Sequence, residues 1–193
     1  MIVMNNTNVI LIGNGPSALG RKMGSIIDSY SVVVRLNSFV TIGYEDYIGT
    51  KTDLWIHNQQ EKHFIHSSLD SNTETLILTT KDNPLFTSSI VQDSNNKCRI
   101  FSDGHKKVTD ITCLINEDIS NIYETADRIS TGIYAILYLS KNFDEKITIY
   151  GFDSFLLNGH YYNKNHSKWP LHDSEKEKEI LNYLKKQNKI EFL

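Results

Sequence analysis

Asn14, Asn37, Asn58 and Asp153 each fall at or just past the end of an apolar run in this 193-residue chain. Asparagine offers both donors and an acceptor, and aspartate offers acceptors, a set suited to a ribose, a base and a phosphate. Any one of them is explained by the frequency of Asn and Asp at strand ends and turns. Four together, on strands lying side by side, point to one shared crevice.

The first of them sits in NVILIGNGPSALG, Asn8 to Gly20. Val9 to Ile12 form a continuous apolar run, as expected for a strand buried on both faces. Gly13 and Gly15 permit a tight turn and a close approach to a ligand. Helix-compatible sequence follows, with Leu19, Met23, Ile26, Ile27 and Tyr30 spaced for one buried face. A helix start carries unpaired N–H groups and partial positive charge, a seat for a phosphate or carboxylate. Gly13, Gly15 and Gly20 match a dinucleotide fingerprint only loosely, because Pro16 and Ser17 alter the loop; a plain strand-to-helix turn competes. Read from residues alone, a dinucleotide-dependent oxidoreductase and a non-catalytic nucleotide-binding module are both open. Asn37 stands where a dinucleotide site wants a carboxylate for the ribose, which counts against the oxidoreductase.

The elements that must hold these groups follow from the pattern. SVVVRLN (Ser31–Asn37), the segment Asp53–His57, TLILTT (Thr75–Thr80) and ITIYGFD (Ile147–Asp153) read as further strands, with CRIF and ITCLI as shorter ones. STGIYAILYL (Ser130–Leu139) reads as a helix with a Ser or Thr cap, and Asp173–Gln187 as a charged helix before a last strand, KIEFL. Alternating strands and helices predict an α/β fold: a single Rossmann-like domain over residues 1–193 with a mostly parallel, doubly wound sheet. Such sheets bind ligands at the carboxyl ends of their strands.

Composition narrows the partners. A formal net charge of −3 and the lack of a Lys/Arg stripe argue against nucleic acid. Cys98 and Cys113 lack CxxC spacing, so they read as reduced thiols rather than a zinc site, with a disulfide left open. No stretch suits a membrane span and the amino terminus lacks a leader pattern, so a cytoplasmic protein is expected, compatible with peripheral attachment to a membrane surface. No Asp-x-Asp motif or His/Asp/Glu cluster suggests a metal or resident cofactor.

Four segments, in order, make the chain resemble the animal-type sialyltransferases, glycosyltransferase family 29, with weaker similarity to the Campylobacter-type bacterial enzymes. The large motif looks like Val9–Asn58, through IGNGPSALG, IDSYSVVVRLN and IGTKTDLW; the small motif looks like Ser130–Asp153. His160-Tyr161-Tyr162 matches the third motif, and His172 with Glu177 the very small one. The resemblance implies a GT-A-like sialyltransferase fold and an inverting transfer of sialic acid from CMP-sialic acid to a glycan hydroxyl. CMP-Kdo, which shares the nucleotide and the anomeric carboxylate, is an open alternative donor.

The resemblance also implies roles. Asn14, Gly15, Ser17 and Asn37 would hold the CMP phosphate and ribose, and Ser130, Thr131 and Gly132 would offer donors at a helix start. Gly151, Phe152 and Asp153 would border the cytidine or ribose, and Asn58 would contact the nucleotide. His172 would be the general base, since an imidazole with an ordinary pKa of about 6.5 can deprotonate a hydroxyl at neutral pH. His160, Tyr161 or Tyr162 would stabilise the departing phosphate. Glu177 would steady its surroundings; its alternating Lys and Glu neighbours otherwise read as a solvated face. Neither motif carries the cysteine with which animal enzymes bridge them, and there is no anchor or stem, which fits a bacterial or viral cytoplasmic enzyme better than a Golgi one. The chain is also short for the animal family, which leaves the acceptor, the linkage and the oligomeric state open.

Overall fold

In a computed structural model the chain is described over residues 7–58, 65–66, 73–79, 100–103, 106–110, 114, 117–122, 129–154, 156–165 and 172–193. Ten strands are present among them: β1 (Val9–Ile12), β2 (Val32–Leu36), β3 (Phe39–Val40), β4 (Leu54–His57), β5 (Ile65–His66), β6 (Glu74–Thr79), β7 (Ile100–Asp103), β8 (Lys106–Asp110), β9 (Ile147–Tyr150) and β10 (Ile190–Phe192). Eight form one sheet in the order β10-β9-β1-β2-β4-β6-β8-β7, parallel except for the β7–β8 pair. Helices α1 (Gly24–Asp28), α2 (Glu45–Ile48), α3 (Glu117–Ile122), α4 (Thr131–Asn142) and α5 (Ser174–Lys186) complete the fold.

The apolar run in β1 explains the layering. Val9 and Leu11 face a core shared with α3, α4 and α5, while Ile10 and Ile12 face a second core with Ala18, Ile27 and Ile48. All four are essentially without solvent exposure, as the alternation of a strand covered on both faces requires. The sheet is therefore doubly wound. After β1 the chain builds outward through β2, β4, β6 and β8, then returns to the other flank of β1 for β9 and β10. The β1–β9 junction is the point where strand order reverses, the place where sheets of this kind bind ligands at their carboxyl ends.

Several elements depart from the sequence reading. The expected long first helix is a 3-10 turn, Pro16–Leu19, followed by the short α1. Gly20 and Gly24 are poor helix formers, and the backbone of Gly24 abuts that of Glu45 and Asp46 in α2, where a Cβ would not fit. Ile26 is consequently 46% exposed while Ile27 is buried. CRIF contributes its last two residues to β7, but the strand beside it is the polar KKVTD (β8), and most of ITCLI lies outside the described residues. The short elements β3, β5, α2 and α3 carry no periodicity long enough to predict. Cys98 and Cys113 lie outside the described residues.

Arg35 departs most. A charged residue near the end of an apolar strand, it is nonetheless 1% exposed. Its Nε donates to the Lys51 carbonyl and Thr52 Oγ1, and one terminal nitrogen to the Ile48 carbonyl, fastening the α2–β4 connection beneath β2. The guanidinium lies 5.5 Å from the Phe39 ring centre, and burial lowers its pKa to about 10, which leaves it charged.

The junction itself has no room for side chains. A Cβ at Gly13 would lie 2.5 Å from the Gly151 carbonyl oxygen and 2.9 Å from the Phe152 ring. Gly13→Ala is expected to destabilise the protein by about 2 kcal/mol, because backbone rather than a pliable side chain must yield. A urea midpoint indistinguishable from that of the unsubstituted protein would show that the junction is looser than described.

Candidate active site at the strand ends

The carboxyl ends of β9, β1, β2 and β4 carry Gly151–Asp153, Gly13–Gly15, Asn37–Ser38 and Asn58, and they are tied to one another. Beyond β1, Gly13 N bonds the Tyr150 carbonyl at 2.8 Å and Gly15 N the Gly151 carbonyl at 2.9 Å. Asn14 reaches sideways, its amide donating to the carbonyls of Leu36 (3.1 Å) and Ser38 (2.9 Å). Asn37 takes the left-handed conformation, φ 45°, which Asn tolerates better than most residues. Its carbonyl accepts from Trp55 Nε1 at 2.8 Å, and its Oδ1 from Asn58 N at 3.3 Å. Asn14, Asn37 and Asn58 thus form a row across three adjacent strands.

The helix-start seat is not where the glycine turn suggested. Ser17 N, at the start of the 3-10 turn, donates to Asp153 Oδ2 at 3.0 Å, so the chain's own carboxylate fills that position. A Cβ at Gly15 would collide with the same carboxylate. The glycines serve close approach of the chain to itself. Asp153 and Ser17 hold the β9 and β1 loops together, a role the glycine turn alone did not suggest.

α4 supplies the other helix start. A Cβ at Gly132 would lie 3.0 Å from the Phe152 ring and 3.7 Å from Leu36 Cδ1, so the first turn of α4 abuts the ends of β9 and β2. Phe152 fills the space between Gly13 and Gly132. The amides of Thr131 and Gly132 precede the bond that Tyr134 N gives to Ser130 O, and a helix start of this kind attracts anions. Ser130 is the cap, its Oγ accepting from Ile133 N at 3.3 Å.

Ser130 has a second partner. Its N–H donates to Glu177 Oε1 and its hydroxyl to Glu177 Oε2, both at 2.8 Å. Both of its donors therefore serve Glu177 in this structure, where the resemblance implied donors for the sugar or the nucleotide. Glu177 is 3% exposed, so the solvated-face reading of that residue fails. The signal was in the sequence: Glu177, Ile180, Leu181 and Leu184 share one buried stripe of α5. This clasp draws the start of α5 to the start of α4. His172, half-buried, stands one residue before the α5 cap Asp173 and five before Glu177.

The third motif closes the site from the loop after β9. Tyr161 N bonds the Asn14 carbonyl at 2.9 Å. Tyr161 is 4% exposed, and its hydroxyl donates to the Val40 carbonyl at 2.8 Å and accepts from Val40 N at 3.1 Å. Burial pushes its phenol up to about 12. It holds β3 in place. Tyr162 donates to the Ser38 carbonyl at 2.8 Å, and its oxygen lies 2.8 Å from His160 Nδ1. The Ser38 carbonyl, which has no side-chain signature, went unnoticed in the sequence. Among the described residues no group of three or more His, Cys, Asp or Glu is arranged to hold a metal ion, and no helix is long and apolar enough to cross a membrane.

Burial raises the Glu177 carboxyl to about 7 from an ordinary 4.5. A carboxyl that is a weaker acid when folded favours the fold while protonated. That contribution is whole below about pH 4.5 and is lost as pH rises through 7. Folding stability is expected to fall between pH 5 and pH 8 by an amount on the order of 3 kcal/mol attributable to this group. Glu177→Gln should flatten that part of the profile in urea titrations, and parallel profiles for the two proteins would contradict it.

Comparison with known proteins agrees with this frame. The model of glycosyltransferase family 29 (sialyltransferase) matches residues 7–189. The rat CMP-N-acetylneuraminate-beta-galactosamide-alpha-2,3-sialyltransferase 4 is 32% identical over 69 residues, 36% of this chain and 20% of that protein. The human CMP-N-acetylneuraminate-beta-1,4-galactoside alpha-2,3-sialyltransferase is 47% identical over 47 residues, 24% of this chain and 12% of its own length. The aligned segments therefore span a fifth or less of these relatives. A solved mammalian sialyltransferase superposes with a TM-score of 0.70 at 21% identity, covering 97% of this chain and 68% of that one, which shows the shared fold. Another, in complex with Gal-beta-1-3GalNAc-ortho-nitrophenol, gives 0.66 at 19% identity over 96% of this chain and 68% of its own. With the family match running across nearly all of its length, the chain belongs to glycosyltransferase family 29, the sialyltransferases.

Proposed function

We propose that this chain is an inverting glycosyltransferase that moves sialic acid, or a related 2-keto sugar acid such as Kdo, from a CMP donor to a glycan hydroxyl. The observation that carries the reading is the convergence of two things at one sheet edge: the amide row Asn14–Asn37–Asn58 and the first turn of α4, whose cap Ser130 is clasped by Glu177 of α5. His172, at the entry to α5, would approach the site from that helix. Asn37 and Asn58 would hold the nucleotide, with Gly151 and Phe152 bordering it and Asn14 keeping the row in register. The amides of Thr131 and Gly132 suit the phosphate or the sugar carboxylate.

In this reading His172 removes the proton from the acceptor hydroxyl as its oxygen bonds the anomeric carbon. The bond from that carbon to the CMP phosphate breaks on the opposite face, and configuration inverts. The proton ends on the imidazole and the electron pair on the phosphate. His160 would meet the charge that develops there. A monophosphate leaving group carries less charge than a diphosphate, which favours side-chain donors over a metal.

A solved relative was crystallised with a Gal-beta-1-3GalNAc compound. A galactose-ended disaccharide is therefore the first acceptor to try, against CMP-Neu5Ac and CMP-Kdo in parallel. CMP is expected to raise the melting temperature and NADH to leave it unchanged. His172→Ala should lower transfer by roughly 10²- to 10⁴-fold while CMP still stabilises the protein. Stabilisation by NADH and not CMP, or full transfer by the His172 variant, would overturn the assignment.

A further inference from the structure

His160 and Tyr162 lie on a tight turn closed by two backbone bonds, His160 N to the Asn163 carbonyl (2.8 Å) and Asn163 N to the His160 carbonyl (3.0 Å). The Tyr162 oxygen makes two contacts of 2.8 Å, one with His160 Nδ1 and one with the Ser38 carbonyl. Two electronegative atoms at that distance need a hydrogen between them. A carbonyl has none to give, so the phenol hydrogen must point at Ser38. The remaining hydrogen, between Nδ1 and the phenol oxygen, must then sit on Nδ1. Burial raises the Tyr162 pKa well above that of an ordinary phenol, so the phenol keeps its hydrogen where an imidazole titrates.

The same Ser38 carbonyl also accepts from the Asn14 amide at 2.9 Å. A relay thus runs from the imidazole through the phenol to the end of β2 and the glycine turn. It fastens a ring on a distant loop to the row of asparagines, and it does so with a defined proton count. The ring partner sets which nitrogen of a histidine does the chemistry.

We propose that Tyr162 is a positioning residue: its hydroxyl keeps a hydrogen on His160 Nδ1, so that Nε2 is the nitrogen that takes up a proton from solvent when the anionic donor binds, and the resulting imidazolium donates from Nε2 to the departing phosphate. The assignment of that phosphate rests on the glycosyltransferase reading above; the tautomer does not. Tyr162 itself touches no reacting atom, its oxygen being committed to Ser38 and His160.

Ring-nitrogen ¹⁵N correlation spectra of the ligand-free protein, at a pH where His160 is neutral, test the tautomer directly. The expected result is a protonated Nδ1 and a bare Nε2. Tyr162→Phe keeps the aromatic ring and should lose that preference, whereas Tyr161→Phe, whose hydroxyl serves Val40, should keep it. For transfer from CMP-Neu5Ac, Tyr162→Phe is expected to lower kcat by roughly ten- to a hundredfold with donor KM changed by less than about threefold. A bare Nδ1 in the unsubstituted protein, or unaltered ring signals in Tyr162→Phe, overturns the proposal. An altered tautomer with unchanged kcat overturns its catalytic half. Should Tyr162→Phe fail to fold, the spectrum of the unsubstituted protein still decides. Absence of any transfer by the unsubstituted protein would count against the proposed function, and the spectrum would still settle the tautomer.

Discussion

Backbone packed directly against backbone, where Gly13 and Gly15 run alongside Gly151, is the constraint that the site is built on. Side chains at these positions would push β1 and β9 apart at the place where strand order reverses. Gly151 takes φ 71°, a left-handed conformation that glycine reaches without strain. Once these two loops are in contact, the neighbours follow: Phe152 is wedged beneath the first turn of α4, Asp153 meets Ser17, and Tyr161 bonds the Asn14 carbonyl. A crevice at a topological switch point is expected of such sheets. The glycines decide how narrow its floor is.

Much of the polar chemistry that looks like ligand recognition is spent within the protein. Asn14, Asp153, Ser17, Ser130 and Tyr161 each bond a segment distant in sequence. Buried polar groups are costly without a partner, and a loop-built site has many of them. One set of residues holds the loops in register across the ends of β1, β2 and β9.

Arg35 and Glu177 are both buried, and neither makes a salt bridge among the described residues. They respond to burial differently. Arginine begins so basic that a pKa lowered to about 10 still leaves it charged, held by carbonyls and an aromatic face. Glutamate begins near 4.5, and burial brings it to about 7, into the range where proteins work. The clasp that joins α4 to α5 is therefore sensitive to pH, whereas the Arg35 anchor is not.

Strands β1, β2, β4, β6, β9 and β10 and helices α4 and α5 were legible in the sequence. Parallel strands buried on both faces write themselves as unbroken apolar runs, and capped helices announce their starts. The order of the four motifs likewise pointed to the family that the whole-chain match shows. The short elements were not legible: the first helix breaks because Gly24 must fit against α2, a contact between residues about twenty apart.

Residue types at the strand ends were equally plain, but their roles were not. Whether an amide or hydroxyl faces a ligand or another loop depends on which chain segments lie within about 3 Å, the reach of a hydrogen bond. Sequence alone determined the α/β class, the principal strands and the set of polar groups brought to one edge of the sheet. Only the tertiary structure decided that Ser130 answers to Glu177, Asp153 to Ser17 and Tyr162 to Ser38, because hydrogen bonds are made between neighbours in space, and local pattern does not record them.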